Sequence, residues 1–162
     1  MNSKTVVIWD SAKDITSNKF VHVMWQSYKA PILENNVSIP QLVEEKDDEL
    51  RSRYLSFIYN LGEVEINENR IIDHLKIKSN FSYWWMTLLV EKCNFLKSPQ
   101  IDNIIKLMAF DEWLYNHNFT KIKIVTHNQQ LAESVKSLAE QLNLDFEVVR
   151  LPAQKKTGTI IR

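Results

Sequence analysis

"KIKIVTHNQQLAESVKSLAEQLNLDFEVVRL" occupies residues 121–151 and contains three segments of different period. The run "KIKIVT" (121–126) reads as a strand with apolar positions Ile122 and Ile124, and it ends in Thr126-His127-Asn128. "QLAESVKSLAEQL" (130–142) sets Leu131, Val135, Leu138 and Leu142 on one stripe, as an amphipathic helix requires. "DFEVVRL" (145–151) is again strand-like. A strand, a helix and a strand in that order predict a crossover unit whose strands run parallel in one sheet.

Working outward, "TVVIWD" (5–10) reads as a buried strand, and "KFVHVMWQ" (19–26), which alternates less cleanly, as a second. Residues 27–40 carry Pro31, Pro40 and Asn35-Asn36 and read as a loop. From Gln41 to Leu61 the pattern is helical: Leu50, Tyr54, Phe57, Ile58 and Leu61 share a face, and Gly62 sits where a helix commonly stops. Residues 67–75 predict a short helix capped by Asn67, and residues 81–96 a longer one. Ser98-Pro99 supplies an N-cap and a first-turn proline for a helix over 99–117. The expected fold is an α/β, Rossmann-like three-layer domain with a largely parallel sheet flanked by helices. It spans 1–151, with 152–162 as a linker or exposed tail.

Composition excludes several functions. Lys plus Arg is 20 and Asp plus Glu is 20, so the nonspecific attraction to phosphates has no source, and no nucleic-acid partner is expected. The single cysteine, Cys93, can form no intrachain disulfide and favours a reducing compartment. No apolar run approaches the roughly 20 residues that span a bilayer. The expectation is therefore a cytoplasmic protein with no transmembrane segment, any contact with the inner membrane being peripheral and through a partner. Gly62 and Gly158 are the only glycines and can assemble neither a dinucleotide fingerprint nor a P-loop. One cysteine and four separated histidines (His22, His74, His117 and His127) have no zinc-ligand spacing, so no metal and no cofactor are expected.

Ligands of open α/β sheets gather beyond the carboxyl ends of the strands. Two such ends are readable, Asp10-Ser11 and Thr126-His127-Asn128. An Asp and a His facing one crevice supply a general base and its orienting partner. The plainer reading is that Asp10 or Ser11 starts a turn, Asn128 caps the next helix and His127 satisfies a local carbonyl. In the segment 81–96, helical spacing crowds Phe81, Trp84, Trp85, Leu88, Leu89, Phe95 and Leu96 onto one face, while Tyr83, Met86, Val90 and Cys93 cover much of the rest. Such a helix is normally buried, so the tryptophans read mostly as core. Glu91 falls inside the apolar stripe. A carboxylate there must be paired or protonated, and burial moves such a group toward acid–base use. Pairing with Lys92 or Lys97 is the plainer alternative. Asp111 and Glu112, adjacent on their helix, do not face each other and read as solvent or salt-bridge residues.

The runs "SIPQLVEE…LRSRYLSFIYNLGE" and "FSYWWMTLLVEKC…KSPQIDNIIKLMAFDEWL" carry a family resemblance over about residues 38–125. This stretch resembles the N-terminal part of bacterial surface-carbohydrate biosynthesis proteins, glycosyltransferases encoded with O-antigen or lipopolysaccharide genes. "SYWWMT" followed by "EK" is the most specific piece. The resemblance implies a GT-B architecture, in which an N-terminal lobe holds the carbohydrate acceptor and a C-terminal lobe the nucleotide-sugar donor. The chain matches one lobe of that plan. As an acceptor lobe it would lack the donor pocket, act with a C-terminal donor-binding lobe as partner, and be inactive alone. The resemblance transfers no catalytic residues. From position alone, Asp10, Glu91 and His127 are the candidate catalytic bases, and Ser11, Trp84, Trp85 and Asn128 the candidate substrate contacts, with Trp84 or Trp85 a platform for a sugar ring only if its face reaches a cleft. The competing expectation is a non-catalytic α/β domain that binds a protein or a small ligand.

Overall fold

Val6, Val7 and Ile8 are buried on both faces of their strand, as only a central strand allows. The computed structural model describes residues 4–10, 19–28, 36–91 and 98–151. In it, β1 (Thr5–Trp9) pairs in parallel with β2 (Val21–Met24) on one side and with β8 (Lys121–Thr126) on the other. Ile8 is opposite Val23 and Ile124, which places three buried β-branched side chains in one row. The outer strands are β3 (Asn36–Ser38) and β9 (Asp145–Arg150), giving the order β3-β2-β1-β8-β9 with every pairing parallel. This is the three-layer, Rossmann-like arrangement: a parallel five-stranded sheet flanked by helices.

Helix α5 (Gln129–Gln141) connects β8 to β9 and packs against both. Its buried residues are Leu131, Val135, Leu138 and Ala139, the stripe that the spacing predicts apart from its last member. The Asn128 side-chain oxygen accepts from the Leu131 N–H at 3.1 Å and satisfies one otherwise orphaned donor of the first turn. At the other end Asn143 takes a left-handed φ of 54°, and the Leu144 N–H reaches back to the Ala139 carbonyl at 2.9 Å. That closure stops the helix without a glycine.

Strand β3 falls in the stretch 27–40 that reads as a loop. Three residues, Asn-Val-Ser, are too short to show alternation; the Ser38 hydroxyl ties the strand to the Ser27 carbonyl at 2.8 Å.

The chain divides into two units, Met1–Pro40 with Leu114–Arg162, which carries the sheet, and Gln41–Trp113. The second unit begins within α1 (Ile39–Glu45) and continues as α2 (Asp47–Glu63). The single helix expected over 41–61 is thus split at Lys46, whose φ of −120° and ψ of 25° leave the helical region. Asp47, Asp48 and Glu49 then occupy the first turn of α2, at the positive end of its dipole. Asp111 and Glu112 of α4 (Pro99–Tyr115) carry ion pairs to Arg53 and Lys46 respectively.

Three further expectations in this unit are corrected. Asn67 does not cap a helix. Asn67 and Glu68, at φ 51° and 66°, form the two-residue turn between β4 (Glu65–Ile66) and β5 (Asn69–Arg70), and only the four residues of α3 (Ile71–His74) are helical. Positive φ at both central positions is the twist that a tight hairpin needs, and Asn tolerates it well.

Nor does a long helix begin at Phe81. A hairpin of β6 (Lys76–Lys78) and β7 (Phe81–Ser82) leads into a single 3-10 turn, Tyr83–Met86. Side-chain hydroxyls bound it on both sides. The Ser82 hydroxyl accepts from the Trp84 N–H at 3.3 Å and donates to the Ile72 carbonyl at 2.6 Å. Thr87 is extended, and its N–H and hydroxyl both bond the Trp84 carbonyl, at 3.1 and 2.8 Å. Gly62 likewise is not a helix stop: α2 runs on to Glu63, and the indole of Trp84 lies against the bare face of Gly62.

Candidate functional site at the strand ends

In the strand order β3-β2-β1-β8-β9 the chain builds outward in opposite directions from β1, toward β2 on one side and β8 on the other. Crevices in open α/β sheets form at such a switch point, beyond the carboxyl ends of the two strands. Asp10 directly follows β1 and Thr126 is the last residue of β8, so both occupy that edge. They touch: the Thr126 hydroxyl donates to Asp10 Oδ2 at 2.5 Å.

Polar contacts radiate from this pair. Gln26, just beyond β2, donates its side-chain N–H to Asp10 Oδ1 at 3.0 Å. The Thr126 oxygen also accepts from the Asn128 N–H at 2.9 Å, and the Asn128 side chain caps α5. The Asp10 N–H bonds the Val125 carbonyl at 3.1 Å. One carboxylate therefore links the ends of β1, β2 and β8 and, through Thr126, fixes the turn that carries His127.

This wiring separates the roles of two candidates. Asp10 is only 6 % exposed and both its oxygens are engaged, so it holds the turn in place. His127 is exposed in that turn, and among the described residues nothing bonds its ring. Of the two, His127 has a nitrogen available to a ligand's hydroxyl. Trp9 and Trp25 flank the same edge: the Trp25 N–H bonds the Trp9 carbonyl at 2.9 Å, and the Trp9 indole N–H donates to His22 Nδ1 at 3.0 Å.

The other candidates are placed as follows. Asn128 joins the cluster, and its side chain is committed to capping α5. Ser11 lies outside the described residues. Trp84, Trp85 and Glu91 belong to the second unit. Trp84 is 4 % exposed and offers no ring face, whereas Trp85 is 48 % exposed. Glu91 is exposed, because the helix that would have turned it into an apolar stripe does not form. Gln26 and Thr126 were not among the sequence candidates. The strand-end rule that singled out Asp10 would have reached Gln26 as well, had the end of β2 been readable.

Among the described residues no three His, Cys, Asp or Glu side chains converge to hold a metal ion, and no helix is long and apolar enough to cross a membrane. No protein-family model, curated protein or solved structure matches the chain.

Proposed function

We propose that the chain is the acceptor-side lobe of a glycosyltransferase of bacterial surface polysaccharide biosynthesis, working with a donor-binding lobe as its partner. The observation that carries this reading is the switch point, where an exposed His127 stands on a turn held by the Asp10–Thr126 pair. In this role His127 takes the proton of an acceptor hydroxyl as that oxygen bonds to the anomeric carbon of the nucleotide-sugar held by the other lobe, while the bond from that carbon to the nucleoside diphosphate breaks and the diphosphate leaves with the electron pair. Asp10 positions the turn. The sequence that follows β1 reads Asp-Ser-Ala-Lys, without the glycines of a pyrophosphate cradle, which suits a lobe that holds an acceptor rather than a nucleotide. The resemblance over residues 38–125 points the same way.

The test titrates the protein with acceptor oligosaccharides and follows tryptophan emission, since Trp9 and Trp25 adjoin the cluster. A saturable change that disappears in His127→Ala, with the melting curve unaltered, is expected. No response to any acceptor, together with stable self-association, would assign the chain to protein interaction instead.

A further inference from the structure

Leu75 to Val90 contains Lys76 and Lys78 and no carboxylate, in a chain whose acids and bases balance overall. Within it Ile77, Phe81, Tyr83, Trp85, Met86 and Leu88 each expose between 40 % and 63 % of their surface. The backbone beneath them is anchored. Trp84 is the inward member of the turn, seated on Gly62, and the Tyr54 hydroxyl holds the Leu89 carbonyl at 2.8 Å. In a 3-10 turn residues three apart eclipse, so Tyr83 and Met86 stand on one ridge, with Trp85 beside them. A soluble surface tolerates scattered apolar side chains, but six within twelve residues on a pinned support mark a binding face.

We infer that this face docks directly on an anionic lipid surface, with Trp85, Tyr83, Phe81 and Met86 entering the headgroup boundary. Two observations choose lipid over protein. Protein interfaces favour arginine and are depleted in lysine, whereas both charges here are lysines, whose long stems suit a headgroup layer. The hairpin strands, of three and two residues with a register shift between Lys76 and Lys78, give no edge for a partner strand to extend. Lys76 is paired with Asp73 at 2.6 Å, so Lys78 carries the uncompensated charge. Attraction to anionic headgroups is worth about five-fold per lysine near the surface, so the apolar side chains supply most of the affinity. This inference stands apart from the acceptor-lobe reading.

The test is cosedimentation of the full chain with vesicles of phosphatidylcholine alone or mixed equally with phosphatidylglycerol, alongside tryptophan emission. Binding to the mixed vesicles with a blue shift is expected, falling about five-fold in Lys78→Ala and roughly ten-fold or more in a Trp85→Ser, Met86→Ser double variant. Lys78 is exposed, so its replacement leaves folding intact, and far-UV circular dichroism checks the double variant. Absence of binding to either vesicle overturns the proposal. So does binding indifferent to the substitutions, or a self-association that the double variant abolishes, which would make the face a protein interface.

Discussion

A methyl group at Gly62 would meet Trp84 Nε1 at 3.0 Å, Cε2 at 3.2 Å and Cδ1 at 3.6 Å. Ordinary contacts lie near 3.5–4.0 Å, so two of these three are short by roughly 0.3–0.5 Å. Trp84 is held by its backbone bonds to Ser82 and Thr87 and is buried, so the indole has little room to retreat. Overpacking of this kind costs about 1–3 kcal/mol. Against it stands the helix preference for alanine over glycine, at most about 1 kcal/mol and less in a last turn. Gly62→Ala should therefore destabilise the protein by about 1 kcal/mol. The decisive comparison is with Trp84→Leu, which removes the clashing ring atoms and alone costs roughly 3 kcal/mol through the cavity it leaves. In that background Gly62→Ala should become neutral or stabilising, a coupling of about 2 kcal/mol between the two sites. Urea denaturation followed by far-UV circular dichroism, with constant m, measures all four proteins. Equal shifts of the midpoint by Gly62→Ala in both backgrounds would show that the Gly62–Trp84 contact constrains nothing.

Three further outcomes follow from local geometry. Glu68 holds a left-handed φ of 66° that costs a side-chain-bearing residue about 1 kcal/mol, so Glu68→Gly should raise stability by about 0.5–1 kcal/mol, read as a higher melting temperature. Thr126→Val removes the hydroxyl between Asp10 and the Asn128 N–H and should cost about 2 kcal/mol in chemical denaturation, while Thr126→Ser should stay within about 0.5 kcal/mol of the parent. Hydrogen bonds from Lys121 and Lys123 hold the Glu147 carboxyl down from 4.5 to about 2, and those from Arg70 and Lys76 hold Asp73 down from 3.8 to about 2. Both folded values lie below the unfolded ones, so their stabilisation is present above about pH 4.5 and drains away as pH falls toward 2. Melting temperature against pH should drop over that window and flatten in Glu147→Gln. Both groups are solvent-accessible, so added salt should shrink the effect, and an acid limb unchanged by the substitution would contradict the assignment.

The sheet was readable where a segment was long enough to display its own period. The strand at 121–126 matches its expected bounds, and the following helix, expected over 130–142, runs from Gln129 to Gln141. The three residues of β3 and the two-residue strands of the hairpins have no measurable period, and none was foreseen. The site was legible to the extent that it follows from topology. Placing ligand chemistry at strand ends found Asp10 and Asn128, which the structure joins through Thr126. It could not show that Asp10 has both oxygens occupied, because Gln26 arrives from a strand whose end the sequence does not mark clearly.

The segment from Phe81 to Glu91 shows where hydrophobicity stops being informative. Periodicity assigns a conformation only when some positions are polar, and a run with large apolar residues at nearly every place satisfies a buried helix and a tight turn equally. The choice then passes to the few polar side chains, and Ser82 and Thr87 direct their hydroxyls into backbone groups that a continuing helix would have used for itself. Once the chain is confined to one turn, neighbouring aromatics cannot all face inward. Trp84 goes in, onto the only glycine that could receive it in α2, and Trp85 goes out. The exposure of Trp85, Tyr83 and Met86 is thus a consequence of two hydroxyls and one missing side chain. The apolar composition that suggested a core helix becomes, in this conformation, an outward-facing surface.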